Sequence, residues 1–91
     1  WKENGITRVL DPRLQPKKQI LVLLYDESPR QDEELQSIME YGNTSEFKAK
    51  LRWLHRFRFL EYEEENGQCR LSPLGSDEAE AIIQGRTDTR L

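Results

Sequence analysis

The stretch Thr44–Leu60, TSEFKAKLRWLHRFRFL, constrains the fold more than any other part of the chain. Phe47, Leu51 and Leu54 recur at the three- and four-residue spacing that places side chains on one face of a helix. The opposite face carries small, polar and basic residues: Ser45, Lys48, Ala49, Arg52, His55 and Arg56. The stretch therefore predicts a helix that is buried on one side, basic on the other, and continuous with a strand at its end.

This stretch is basic within a chain that is acidic overall. It holds five lysine or arginine residues and one glutamate, a net charge of +4, whereas the whole chain has a net charge of −3. Nucleic-acid-binding domains are more often basic throughout, but local charge decides contacts more than the total does. The basic face therefore indicates either a nucleic-acid contact or a solvated face that balances acidic neighbours.

Length and composition limit the remaining choices. The 91 residues are enough for one domain with a modest core. No apolar run approaches the roughly 20 residues of a membrane span, so we expect no membrane partner. One cysteine, Cys69, and one histidine, His55, exclude an internal disulfide and a Cys/His zinc site. We therefore expect no metal or other cofactor and a cytoplasmic location. Because Trp1 and not Met opens the chain, we expect a piece of a longer protein or a trimmed chain.

Two helices are expected before the basic stretch. Pro16 suits the first turn of a largely apolar helix. This helix is expected to end at Ser28-Pro29, because the residue before a proline disfavours the helical conformation. A second helix is predicted over Arg30–Tyr41, with three acidic residues near its start and Gly42 as a left-handed cap. Three residues compete to be the N-cap of the third helix: Asn43, Thr44 and Ser45.

A hairpin and a fourth helix are expected after the basic stretch. Asn66-Gly67 is the strongest two-residue hairpin signal. The register it predicts pairs Glu65 with Gln68, Glu64 with Cys69, Glu63 with Arg70, and Tyr62 with Leu71. Leu60, Tyr62, Cys69 and Leu71 then share the inner face, and Cys69 is expected to be buried and inert. Ser72-Pro73 begins the fourth helix and Gly85 ends it.

These elements divide the chain into three parts. Residues 1–15 form an N-terminal arm, which is either a loose segment or short strand, or a dimerisation arm. Residues 16–85 form the folded domain. Residues 86–91 form a C-terminal tail, frayed or leading into a linker.

The motifs of the second half resemble those of one known fold family. Leu51 and Leu54 are followed by Phe59-Leu60 entering a strand, then by the turn Asn66-Gly67, then by Leu71-Ser72-Pro73-Leu74-Gly75 at a helix start. In this order they resemble a winged helix-turn-helix domain of the prokaryotic-regulator type. The resemblance covers 16–85 and implies an α+β, mostly helical fold. Its parts are a three-helix core, a two-stranded β-hairpin wing and a C-terminal helix.

The resemblance implies a DNA-binding module of a transcription regulator or of a larger DNA-processing protein. Helix 44–57 would enter the major groove, and its basic side chains would read guanine or hold phosphates. The implied DNA-binding residues are Thr44, Ser45, Lys48, Ala49, Lys50, Arg52, His55, Arg56 and Arg70. The acid run at 61–65 lacks an accompanying nucleophile, metal cluster or phosphate loop, so an enzyme is not expected.

Two departures from the family keep a second function open. Arg58 stands where the family has a glycine, and the wing carries four glutamates that would repel phosphates: Glu61, Glu63, Glu64 and Glu65. The alternative is a winged-helix domain that binds another protein within a larger chain, or a second copy of itself. Trp53 beside Phe57 is then an interface anchor, or else an edge of the core. His55 is either a plain exposed side chain or one that senses pH or touches phosphate.

Overall fold

The computed structural model describes residues 14–91. Its helices are α1 (Pro16–Asp26), α2 (Asp32–Met39), α3 (Thr44–Arg56) and α4 (Pro73–Ile83). Its strands are β1 (Arg30–Gln31), β2 (Leu60–Glu63) and β3 (Gln68–Leu71). The predicted small α+β fold, mostly helical, is confirmed. The predicted N-terminal arm lies outside the described residues except for its last two positions.

Helix α1 forms the centre of the core. It begins at Pro16 as predicted, and its five consecutive residues Ile20–Leu24 are all buried. A helix that is apolar around most of its circumference must be covered on several sides. Helix α4 covers one side of α1, and α2, α3 and β3 also contact it.

The second helix is shorter than predicted because its first two residues join the sheet. Arg30 and Gln31 form β1, which pairs antiparallel with β3 in the register Arg30↔Cys69 and Gln31↔Gln68. The sheet among the described residues therefore has three strands in the order β1-β3-β2: the predicted two-stranded hairpin is present, and β1, which was not predicted, adds a third strand. The physical reason is tertiary: the partner of β1 lies almost forty residues away, where local helix propensity carries no information.

The caps of α2 and α3 differ in part from expectation. Glu40, not Gly42, adopts the left-handed conformation after α2, with φ of 53°. Asn43 is the N-cap of α3, because its side-chain oxygen accepts a hydrogen bond from the Glu46 N–H at 3.0 Å. After α3, Arg58 has φ of 69° and so occupies the left-handed conformation at the position where the resembled family has glycine.

The hairpin register is displaced by two residues from the predicted one. The observed pairs are Leu60↔Leu71, Glu61↔Arg70, Tyr62↔Cys69 and Glu63↔Gln68. A two-residue type I′ turn needs positive φ at both central residues, but here only Gly67 of the Asn66-Gly67 pair has it, at 75°. The loop consequently spans 64–67. Because the displacement is even, Tyr62 and Cys69 still point into the core.

The last helix is held close to the sheet. Ser72 caps α4 by accepting a hydrogen bond from the Gly75 N–H at 3.0 Å, and Gly85 follows the helix with φ of 73°, both as predicted. A Cβ atom at Gly75 would lie 1.8 Å from the Phe59 carbonyl oxygen. This close approach of two backbones requires glycine.

The C-terminal tail, which was predicted to fray or to lead into a linker, is docked at its end and not frayed. The backbone N–H groups of Arg90 and Leu91 donate to one carboxylate oxygen of Glu78 at 2.7 and 2.8 Å. Leu91 also packs against the core. Glu78 is buried, and a buried carboxylate of this kind needs such donors. Among residues 14–91, no helix has both the length and the apolar character that crossing a bilayer requires.

Candidate nucleic-acid interface

The outer face of α3 is the surface that brings most of the predicted DNA-binding residues together. Phe47, Leu51 and Leu54 on the inner face are 0% exposed, which fixes the rotation of the helix about its axis. We define the outer face by five residues on the opposite side: Ser45, Lys48, Ala49, Arg52 and Arg56. Lys48 is half-buried and the other four are exposed. Their helical spacing makes one continuous strip.

The remaining predicted residues lie beside this strip or away from it. Thr44 begins α3 and is exposed, and its hydroxyl accepts a hydrogen bond from the Gln36 side-chain amide at 3.0 Å. Lys50 is half-buried, with its ammonium 5.4 Å from the centre of the Tyr41 ring. Arg70 is exposed on β3 opposite Glu61. Lys50 and Arg70 therefore do not extend the outer face.

His55 has a structural role that the sequence did not reveal. Its side chain is exposed, but its Nδ1 accepts a hydrogen bond from the backbone N–H of Tyr62 at 3.0 Å. An accepting ring nitrogen carries no proton, so this bond requires the neutral tautomer with hydrogen on Nε2. The imidazole thus joins the last turn of α3 to β2, which is an edge strand in the described sheet.

Arg52 is engaged by the acidic hairpin. Its Nε and Nη2 donate to the two carboxylate oxygens of Glu64 at 3.0 and 2.7 Å, a bidentate pair. The hydrogen bond from Arg52 lowers the pKa of Glu64, and the positive charges of Arg52 and Lys48 lower it further. The same hydrogen bond, with the charge of Glu64, raises the pKa of Arg52. Both groups therefore remain charged at neutral pH.

The displaced hairpin register explains why this pair was missed. The predicted register placed Glu64 inside a strand, opposite Cys69. In the structure Glu64 is the first residue of the four-residue loop, where its side chain is free to turn toward α3. The one available signal was an acid run only a few residues after a basic helix.

An aromatic flank, which we define as Trp53 and Phe57, borders the outer face. Trp53 is 36% exposed and Phe57 is 49% exposed, and their ring centroids are 4.4 Å apart. The Lys17 ammonium lies 4.0 Å from the centre of the Trp53 ring, within the range of a cation–π contact. A depression of about 240 Å³ between Trp53, Arg52, Arg56 and Ala49 joins the flank to the outer face.

The outer face of α3 thus carries three cationic groups. Lys48 and Arg56 are open to a ligand, whereas Arg52 is held by the carboxylate of Glu64. Beside this face lies the exposed aromatic flank. Comparisons of the chain with protein-family models, with curated proteins and with solved structures found no match.

Proposed function

We propose that this chain is a winged-helix module that binds duplex DNA through the outer face of α3. Three helices packed around one core, a β-hairpin and a further helix support the winged-helix assignment. The third strand, β1, directly precedes α2 and pairs with β3 of the hairpin.

The orientation of α3 carries the proposal. Its inward residues Phe47, Leu51 and Leu54 are wholly buried, so its small and basic residues lie along one strip on the opposite side. An α-helix with such a strip fits the major groove, where arginine and lysine donate to guanine O6 and N7. Ser45, Lys48 and Ala49 in the first half of the helix lie nearest the bases, and Arg56 near its end holds a phosphate.

The hairpin determines how Arg52 takes part. Glu64 presents two oxygens to the guanidinium in the way that a phosphate or a guanine edge would. DNA must therefore replace Glu64 before Arg52 makes a contact. The free protein holds its own competing anion, and this lowers affinity without blocking the rest of the outer face.

A salt-dependent titration tests the proposal. We expect a random-sequence duplex to bind at low salt, with log K falling against log salt by about 0.9 for each phosphate neutralised. The double variant Lys48→Ala/Arg52→Ala should bind more weakly and show a shallower slope. Fluorescence anisotropy of a labelled duplex measures both quantities.

The matched control is Arg86→Ala/Arg90→Ala, which removes the same charge from the tail after α4. Arg86 and Arg90 are exposed and follow α4. This control should retain most of the affinity. Equal loss in the two double variants would show that only total charge matters, and absence of binding at low salt would remove the DNA proposal altogether.

The aromatic flank supports a second candidate, self-association. Exposed Trp53 and Phe57 beside arginines have the composition of an interface hot spot. Sedimentation equilibrium should then show a dimer that Phe57→Gln converts to a monomer. A chain that stays monomeric over the accessible concentrations would exclude this candidate.

A further inference from the structure

A groove of about 560 Å³ lies between the end of α3, strand β2 and the start of α4. Its apolar lining comes from Leu60, Pro73 and Leu74. The rest of its lining is polar and is formed by His55, Arg56, Arg58, Glu61 and Ser72. Small-molecule sites have volumes of about 300–1,000 Å³ and combine an apolar lining with a few polar groups. The groove has the size and the composition of such a site.

The backbone at Arg58 is unusual for its residue type. Its φ of 69° is a conformation that residues other than glycine seldom adopt. Its N–H donates to the His55 carbonyl at 3.0 Å, and its carbonyl accepts from the Ser72 hydroxyl at 2.5 Å. Glycine would satisfy the same backbone but would supply no guanidinium. Residues held in such conformations concentrate at ligand sites.

The polar lining is positively charged. Within residues 14–91, the structure shows an ion-pair partner for Arg52 but none for Arg56 or Arg58. Glu61 also borders the groove, so its charged side chains are two arginines against one glutamate. Two arginines beside apolar residues in one groove are complementary to a carboxylate that is attached to an apolar body.

We propose that this groove binds a small amphipathic carboxylate. The apolar body of the ligand packs on Pro73 and Leu74, and its carboxylate accepts hydrogen bonds from Arg58 and Arg56. This ligand site goes beyond DNA binding and does not depend on it. Because Arg56 belongs to both surfaces, a bound carboxylate also competes for one of the cationic groups of the outer face.

Titration of the protein with acetate, butyrate and hexanoate tests the site. Backbone amide NMR shifts should concentrate at the groove residues, and affinity should rise about fourfold for each methylene that becomes buried. Hexanamide, which has the same chain without the charge, should bind more weakly than hexanoate. Equal affinity for acetate and hexanoate would reveal a simple anion site, and equal affinity for hexanamide would remove the role of the arginines. Either result overturns the proposal, as does the absence of shifts at millimolar ligand.

The variant Arg58→Gly isolates the guanidinium without endangering the fold, because glycine suits a positive φ. We expect it to weaken hexanoate binding by about tenfold or more, the loss typical of a charge-assisted hydrogen bond. Arg86→Gln, which removes one positive charge at an exposed site outside the groove, is the matched control and should bind hexanoate normally. Unchanged binding by Arg58→Gly would refute the assignment.

Discussion

Glu64→Gln should strengthen DNA binding, because it removes the anion that holds Arg52. Glutamine keeps the size of the side chain but has no charge, and it offers one acceptor where the carboxylate offers two. The pair joins side chains that are 54% and 46% exposed, so its loss leaves the fold intact. The variant therefore changes the availability of one cation and little else.

The structure gives the size of the expected effect. One bidentate pair is released, so one further phosphate becomes neutralised in the complex. That contact steepens the slope of log K against log salt by about 0.9. Relative to 1 M salt, it corresponds to roughly a fifteenfold gain in affinity near 50 mM salt, which falls to about fourfold near 200 mM.

Anisotropy titrations of the wild type and Glu64→Gln against one duplex at several salt concentrations measure the slope and the affinity together. Glu65→Gln is the matched control, because Glu65 lies beside Glu64 in the same exposed loop and its substitution removes the same charge. This control should raise DNA affinity only slightly, through the loss of one negative charge near the binding face. The pairing lowers the pKa of Glu64, so the carboxylate stays charged across the neutral range and a pH change there should not release Arg52.

Two results would refute this reasoning. If Glu64→Gln binds no more tightly than Glu65→Gln, the bidentate contact does not compete with DNA. If affinity rises while the salt slope stays constant, Arg52 is not gaining a phosphate. Combining Glu64→Gln with Arg52→Ala should cancel the gain, which ties the effect to this one guanidinium.

Three further predictions concern the framework that holds the site. Arg58→Gly should raise the free energy of unfolding by about 1–2 kcal/mol in urea titrations, because glycine adopts the left-handed conformation at this position without strain. A lower free energy of unfolding would show that the arginine side chain stabilises the fold by more than its backbone strain costs. Tyr62→Phe should lower the free energy of unfolding by roughly 1–3 kcal/mol, because the buried Tyr62 hydroxyl donates to Asp32 at 2.8 Å and its loss leaves that carboxylate without this donor. A variant as stable as the wild type would mean that water replaces the hydrogen bond. Cys69 should react slowly with a thiol reagent near neutral pH and rapidly in denaturant, because burial raises its pKa to about 12 and the thiolate is the reactive form; rapid native labelling would contradict its burial.

Much of the helical framework was predictable because its signals are local. Pro16, Ser72 and Gly85 act through backbone conformations and caps that depend on a few neighbouring residues, and all three are placed as expected. The inner face of α3 was equally predictable, because Phe47 and its partners follow the helical period. The same periodicity, together with the basic residues between the apolar ones, was enough to place the outer face.

The site itself was only half predictable. The sequence placed Lys48, Arg52 and Arg56 on one face, but it gave no indication that Arg52 is paired with Glu64. No structural partner was predicted for His55, whereas its imidazole accepts a hydrogen bond from the backbone N–H of Tyr62. Both contacts depend on the hairpin returning to the end of α3, and that return depends on the length of the loop.

The sequence by itself determined the four helices, the inward face of the hairpin and the basic face of α3, because periodicity, caps and charge are properties of neighbouring residues. Only the tertiary structure decided that Arg30 and Gln31 form a strand, that the hairpin loop has four residues, and that Glu64 meets Arg52. Each of these outcomes is a contact between distant segments. Such contacts are selected by the packing of the whole core. An even shift of the hairpin register keeps the same residues buried, so the sequence pattern cannot distinguish the two registers.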